Sequence, residues 1–481
     1  MPDLSQFQHF YLMGIKGVAM ASLAQILLDA GKSVVGCDVA KEFVTQEILD
    51  DLDLKIETGF THNLPENTQV VIYTSAHGGP QNPIVQQAKE KNLPTLSQAE
   101  ALAYFFNQKQ GIAVCGVGGK STVTAMITWI LHRLRLLPSY SVGVGKIIGL
   151  EKTGAWEASG QYFVAEADEY VIDTAAISRG EAITPRFSFL KPKISVCTNL
   201  EYDHPDVYQS LEHTLTIFGE FLHSTQANGS LIYNHTSPAL VELIKTHQDQ
   251  FKQKPLNLLS FGLHAQADAY LKQSRIENQT NIGDVEILGQ YYQLQLAIPG
   301  EFNLLNALAA ILAVNNLGVE VSQAIKALSS FKSTKRRFEF IGEQEGVLYY
   351  DDYAHHPHEI KKTIEAFKAW HPNPRKVVAF QPHTYSRTKE LLPDFVDALS
   401  LAKEVVLLDI FPSARETFDP EVSSDLLVEK IQQQYPLTKI QNLKTIDSLA
   451  DYCQTQLQDG DILLTMGAGD IYQVYEQIGL A

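Results

Sequence analysis

The sequence predicts an α/β protein of several units, each a parallel sheet wound with helices. Three observations lead there. Short β-branched runs alternate with apolar residues at helical spacing along the whole chain. A glycine-rich turn, G-V-G-G-K-S-T over 116–122, joins one such run to one such helix. The chain of 481 residues is too long for one core, so about two to four domains are expected.

Composition narrows the function classes. Hydrophobic content of 45% with 19% charged residues is that of a soluble globular protein. A net charge of −17 argues against nucleic acid or an anionic membrane as the main partner. The only basic cluster, Lys335-Arg336-Arg337, is too short for a nucleic-acid face. Cys37, Cys115, Cys197 and Cys453 are dispersed with no C-x-x-C pair, which implies buried free thiols in a reducing compartment. The first residues have neither a basic start nor a long apolar run. No signal peptide or membrane span is expected, and a cytoplasmic location is. There is no internal repeat and no low-complexity tract.

Residues 1–108 predict strands over 9–14, 33–38 and 69–75, with helices over 17–30 and 82–92. Gly14-Ile-Lys16-Gly17 forms the first turn and Asp38 ends the second strand. A dinucleotide fold wants G-x-G-x-x-G, and Lys16 breaks that pattern, so a nicotinamide cofactor is disfavoured. The turn suits a diphosphate at a helix N-terminus, with Asp38 near a ribose or base. The alternative for Asp38 is a strand-end cap.

Residues 109–333 are led by the glycine turn. Gly116, Gly118 and Gly119 let backbone N–H groups converge on an anion, and Lys120, Ser121 and Thr122 open a helix expected to end near Leu137. The usual spacing wants a further glycine where Val114 stands. Lys120 suits the β- and γ-phosphates of a nucleotide, and the Ser121 hydroxyl suits Mg²⁺. A strand from 161 runs into Glu166, Asp168 and Glu169, and one over 193–199 into Glu201, Asp203, His204 and Asp206. Acids and a histidine at the C-terminal ends of two strands suit Mg²⁺ beside a triphosphate; the alternative is surface acids on two loops. Asn303 and Asn306 lie one helical turn apart, suited to an adenine edge or to helix capping.

Residues 334–481 predict a hairpin over 338–353 around Gly346, a helix from His358, and strands over 375–380, 404–409 and 461–466. This is a second doubly wound unit. His355 and His356 are adjacent at a strand–helix junction and point apart, so one of them positioning substrate fits better than a paired metal site.

These motifs come in the order of the Mur ligases. The loop over 116–122, Glu166-Ala-Asp-Glu169, Thr198-Asn-Leu-Glu-Tyr-Asp-His204, Asn303-Leu-Leu-Asn306, Arg337-Phe-Glu and Asp352-Tyr353-Ala-His355-His356-Pro357 resemble that family over essentially the whole chain. The stretches over 351–357, 380–388 and 464–469, and Gly14 to Met20 with Thr74-Ser75-Ala76, are similar to its alanine-adding branch. The resemblance implies a three-domain Mur ligase architecture. It comprises a Rossmann-like N-terminal domain binding a UDP-sugar (1–108), a central P-loop ATPase domain (109–333) and a C-terminal Rossmann-like domain binding the amino acid (334–481). It implies ATP-dependent amide formation in peptidoglycan precursor synthesis. The carboxylate of UDP-N-acetylmuramate becomes an acyl phosphate, and the amine of L-alanine displaces phosphate.

By the same resemblance, Lys120, Glu166 and His204 are catalytic. Ser121 and Glu166 hold a first Mg²⁺ and His204 a second. ATP is held by Gly116, Val117, Gly118, Gly119, Lys120, Ser121, Thr122, Asn303, Asn306 and Arg337. The UDP-sugar is held by Gly14, Lys16, Gly17, Asp38 and Ser75, and the amino acid by Tyr353, His355 and Arg387. A monomer or weak homodimer is expected. Val117-Gly118 stands where the family commonly has Thr-His, Phe302 where it often has His, and Thr384 where some members carry a base. The competing readings are a tripeptide-recycling ligase of the same family, an NAD-dependent dehydrogenase built on 1–108, and a non-catalytic nucleotide-binding protein. Lys120, Glu166 and His204 together argue against the last.

Overall fold

The computed structural model describes residues 2–412, 416 and 418–480. Its strands gather into three sheets, taken up in chain order. The first is five-stranded and parallel, in the order Ile56–Thr58, Ser33–Asp38, His9–Met13, Val70–Tyr73, Thr95–Ser97. The strands expected at 9–14, 33–38 and 69–75 are its three central members. The helices form as Val18–Asp29, N-capped by Gly17, and Pro83–Glu90, whose cap Asn82 accepts from the Ile84 N–H.

The second sheet has ten strands. Gln110–Cys115 lies at the centre of its parallel part, flanked by Ile194–Cys197 and Tyr162–Glu166. Both acid-bearing strand ends therefore border the glycine loop. The helix after that loop is Lys120–Arg133, ending before Leu137. Arg135 and Leu137 take left-handed φ values of 58° and 46°, and the Leu136 N–H turns back to the Leu131 carbonyl at 2.9 Å, closing the helix early. Three antiparallel strands, Ala269–Glu277, Thr280–Ile287 and Gln290–Leu296, extend one edge. Sequence reading missed them.

The third sheet pairs the hairpin Glu339–Gln344 and Val347–Asp352, turning at Gly346 with φ +75°, and continues in parallel through Ile462–Met466, Lys376–Phe380, Glu404–Leu408 and Lys439–Lys444. Among the described residues no helix is long and apolar enough to cross a membrane. Cys37, Cys115, Cys197 and Cys453 are all buried free thiols.

The units are not joined alike. The first two share an apolar core in which Leu23, Phe105, Phe163 and Phe221 belong to one cluster. Their seam is also hydrogen-bonded: Gln25 Oε1 accepts from the Thr153 and Gly154 N–H groups at 3.0 and 2.8 Å. The third unit has its own apolar clusters, against one of which Ile276 of the second unit packs, and polar pairs also tie it to the others. Arg387 reaches Asp203 and Lys41 reaches Asp470.

Candidate active site

The strand Gln110–Cys115 delivers the chain into the glycine loop and Lys120–Arg133 leads it away. Gly116, Gly118 and Gly119 have φ of +121°, +80° and +81°, a region that L side chains rarely adopt. Space also demands glycine. A Cβ at 116 would lie 2.5 Å from Thr198 Oγ1, and one at 119 would lie 2.8 Å from Asn306 Oδ1. The loop is pinned to the next strand end: Thr198 Oγ1 donates to the Gly118 carbonyl at 2.6 Å, and the Val117 N–H donates to Asn199 at 2.9 Å.

Lys120 Nζ donates to the Gly116 carbonyl at 2.8 Å and to Glu169 Oε1 at 2.9 Å. Burial opposes its charge, but Glu169 and Glu166 outweigh burial and hold the ammonium protonated. Glu169 is 2% exposed, and its second oxygen has no partner. Ser121 Oγ donates to Glu166 Oε1 at 3.1 Å, while Glu166 Oε2 accepts from the Gly143 N–H at 3.0 Å. Burial raises the Glu166 carboxyl, with Lys120 opposing. A hydroxyl and a carboxylate converging beside a lysine-bearing loop are hard oxygen donors of the kind Mg²⁺ takes together with phosphate. Among the described residues no three acids, histidines or cysteines form a metal cluster by themselves.

His204 stands apart from that oxygen pair. Its Nε2 is 3.5 Å from Glu169 Oε1 and its ring meets Tyr170 edge-on at 4.9 Å. Its φ of +57° turns the chain sharply, and its N–H donates to Asp203 Oδ1 at 2.7 Å. Burial would lower its pKa; Asp203 and Glu169 raise it instead.

The third unit closes over the loop. Arg337 has its guanidinium 5.1 Å from the Tyr353 ring and 3.8 Å from Glu359 Oε1. Its neighbour Arg336 is buried, donating to Asp351 and to the Gly467 and Gly469 carbonyls. His355 Nδ1 lies 3.0 Å from the Tyr353 carbonyl, and burial followed by Arg387 pushes its pKa down to about 4. Against burial, His355 and Arg337 hold Glu359 down at about 2. A Cβ at Gly118 would lie 3.3 Å from Glu359 Oε1, so the bare backbone at 118 leaves room for this carboxylate. Arg387 is 4% exposed and gives Nε and Nη2 to Asp203 Oδ1 at 3.0 and 2.7 Å. Its side-on edge, suited to an amino-acid carboxylate, is taken by a carboxylate of this chain.

Two cavities meet at the loop. One of about 300 Å³ is lined from all three units, including Gln98, Lys120, Glu166, His204, Tyr353 and His355. The other, about 80 Å³, is lined by Thr122, Phe302, Asn303, Asn306 and Arg337 among others. Val117, Gly118 and Gly119 border both. Within the smaller one, Asn303 Nδ2 donates to the Pro299 carbonyl at 2.7 Å and Asn306 Nδ2 donates to Asn303 Oδ1 at 3.2 Å. The cap of that helix is Gly300, not Asn303.

The first unit's expected residues line neither cavity. Asp38 is 2% exposed and accepts from the Lys16 and Val39 N–H groups at 2.7 and 2.8 Å. Lys16 Nζ donates to the carbonyls of Val39 and Lys41. Gly14 has φ +83° and Gly17 caps the helix Val18–Asp29. Ser75 reaches the larger cavity indirectly, as acceptor for Arg186, which lines it. Sequence reasoning missed Arg186, Asp203 as the partner of Arg387, and Glu359. The signal for Glu359 is its place at the third helical position after His356, one turn from a motif already singled out.

Known proteins resemble this arrangement from end to end. Residues 9–110 match the Mur ligase family catalytic domain, 114–314 the Mur ligase middle domain, and 336–469 the glutamate ligase domain of Mur ligases. A UDP-N-acetylmuramate–L-alanine ligase of Desulfitobacterium hafniense is 33% identical over 477 residues, covering 98% of this chain and 99% of the relative. The crystal structure of the UDP-N-acetylmuramate-alanine ligase of Thermotoga maritima shares the fold with a TM-score of 0.79 at 24% identity, covering 98% of each chain. A murein peptide ligase of Psychrobacter arcticus shares it at 0.71 and 22%, again over 98% of each. With matches running through all three sheets and identity sustained along nearly the full length, the chain belongs to the Mur ligase family.

Proposed function

We propose that this chain joins L-alanine to UDP-N-acetylmuramate at the expense of ATP, releasing ADP and phosphate, as a cytoplasmic step of peptidoglycan precursor synthesis. The observation that carries the reading is the larger cavity. It brings the phosphate loop, the Ser121–Glu166 pair and His204 together with Tyr353 and His355 of the third unit. The full-length likeness to alanine-adding ligases selects the substrates. Residues 1–108 are assigned to the sugar nucleotide, 109–333 to ATP and 334–481 to the amino acid.

A carboxylate attacking a triphosphate is anion meeting anion, so the site must first neutralise charge. Lys120 is held protonated by Glu169 and Glu166 and would reach the phosphates seated on the loop. The loop amides and the start of the helix Lys120–Arg133 add oriented positive dipoles. Ser121 and Glu166 would hold Mg²⁺, which when bound neutralises and aligns the β- and γ-phosphates. His204, beside Glu169, would face the reacting carboxylate. The carboxylate oxygen bonds the γ-phosphorus as the bond to ADP breaks, giving an acyl phosphate. The L-alanine ammonium loses one proton to the surroundings. Its nitrogen then attacks the acyl carbon, the bond to phosphate breaks, and phosphate leaves with a second proton. Tyr353 and His355 line the place where the amine arrives. Arg387 would take the alanine carboxylate in place of Asp203.

The test is ADP release with ATP, Mg²⁺ and UDP-N-acetylmuramate, offering L-alanine, glycine, L-serine or a preformed tripeptide. The expected result is strong stimulation by L-alanine. Preference for the tripeptide would transfer the chain to peptide recycling, and no stimulation by any amine would overturn the reading.

A further inference from the structure

The larger cavity is where a sugar nucleotide on the first unit would meet the phosphate loop, and its cations decide how an acidic substrate is received. Two of them are tied by hydrogen bonds within the chain and two make looser contacts. Lys120 pairs with Glu169, and Arg336 with Asp351 and two carbonyls. Arg337 lies over Tyr353, and Lys335 is 3.8 Å from Glu47.

Arg186 differs. It opens the short 3₁₀ turn Arg186–Phe189 and bridges strand ends of two units. Nη1 donates to Asp168 Oδ2 at 2.6 Å, and Nη2 donates to the hydroxyl of Ser75. Among the described residues no hydrogen bond uses its Nε. The guanidinium lies 5.6 Å from the Tyr170 ring, the ring that His204 meets edge-on. Arg186 and His204 thus contact one aromatic ring at one cavity.

We infer that Arg186 receives the carboxylate of the sugar acid through its Nε–Nη2 edge and sets the preference for an acid-bearing sugar nucleotide. This rests on the function proposed above. The planar fork of a guanidinium matches a carboxylate with two parallel bonds. Ser75 is a neutral acceptor on half of that edge, and a carboxylate replacing it exchanges a neutral bond for two charge-assisted ones. Asp168 keeps Nη1 throughout and fixes the plane of the fork. The substrate carboxylate is then held at the seam of the first two units, facing the Lys120 loop.

The test compares equilibrium binding of UDP-N-acetylmuramate with that of UDP-N-acetylglucosamine, the same nucleotide sugar without the carboxylate-bearing ether. The full chain is measured beside Arg186→Gln and Arg186→Lys. The wild type should prefer the muramate by at least about tenfold, the weight of charge-assisted hydrogen bonds. Arg186→Gln should bring the ratio near one with ATP affinity unchanged. Arg186→Lys keeps the charge without the fork and should retain only part of the ratio. A purely structural role would weaken both sugar nucleotides equally, because they share the UDP portion. A wild-type ratio near one, or a full ratio in either variant, overturns the inference and leaves the function intact. If Arg186→Gln loses ATP binding as well, Arg186→Lys decides. A wild type that binds neither sugar nucleotide sinks the functional reading itself.

Discussion

Lys120 is the residue on which the proposed chemistry turns, and its surroundings keep it charged. Buried lysines tend to lose their proton, yet two carboxylates within the same site keep this one charged. Replacing it with alanine removes the cation nearest the loop and leaves Glu169 buried without its partner. Lys120→Ala should lower substrate-dependent ADP release at least about 100-fold, and undiminished turnover would remove Lys120 from its role. Gly119 gives a second check. At φ +81°, with Asn306 Oδ1 2.8 Å from any added Cβ, Gly119→Ala should cost about 1–3 kcal/mol in a denaturation experiment. It should also weaken ATP binding. Both residues were legible in the sequence, because glycines before a lysine at a strand–helix junction have few other physical uses. Arg186 was not, because its partners Ser75 and Asp168 lie 111 and 18 residues away and only folding brings them together. Asp38 was legible as a strand-end residue, and its bonds to the Lys16 and Val39 N–H groups place it as the clasp of the first turn.

Among elements, the helix Gln98–Phe106 does more than its length suggests. Ser97 and Glu100 cap its start reciprocally, and Gln98, Ala99 and Leu102 line the larger cavity. Ser97→Ala should cost about 1 kcal/mol of stability, read as a lower thermal midpoint. The turn Thr198–His204 carries Asp203, whose carboxyl is driven well below its ordinary value because Arg387 outweighs burial. A depressed carboxyl contributes stability above its unfolded pKa of about 3.9, and that stability is lost as pH falls through the lower folded value. Asp203→Asn should therefore flatten the acid limb of a stability-against-pH curve below about pH 4. An unchanged limb would show that the pair contributes nothing. Elements with strong periodicity were legible: the helix expected over 82–92 forms as Pro83–Glu90. The antiparallel strands over 269–296 were not. Their turns use Asn278-Gln279 and Leu288-Gly289, and only one of those four residues is the glycine that marks a tight hairpin.

On the scale of the whole molecule, the contrast between its two seams matters most. The first and second units share a core, so they should behave as one body. The third is tied by Arg387–Asp203, Lys41–Asp470 and the approach of His356 to the Tyr202 carbonyl. Polar ties of this kind weaken when a partner is removed or salt is raised. The double variant Asp203→Asn with Asp470→Asn should increase the radius of gyration in solution scattering while leaving the first two units together. An unchanged radius would mean that apolar contacts hold the third unit. The sequence announced three units through its repeated strand–helix alternation, but domain closure depends on pairs such as Lys41 with Asp470, 429 residues apart, for which a sequence holds no local signal. The central claim is that a sugar carboxylate captures phosphorus from ATP inside this cavity. The most direct measurement labels the carboxylate oxygens of UDP-N-acetylmuramate with ¹⁸O and follows the phosphate released during L-alanine ligation. One ¹⁸O per phosphate is the expected result, and phosphate carrying none would contradict the account.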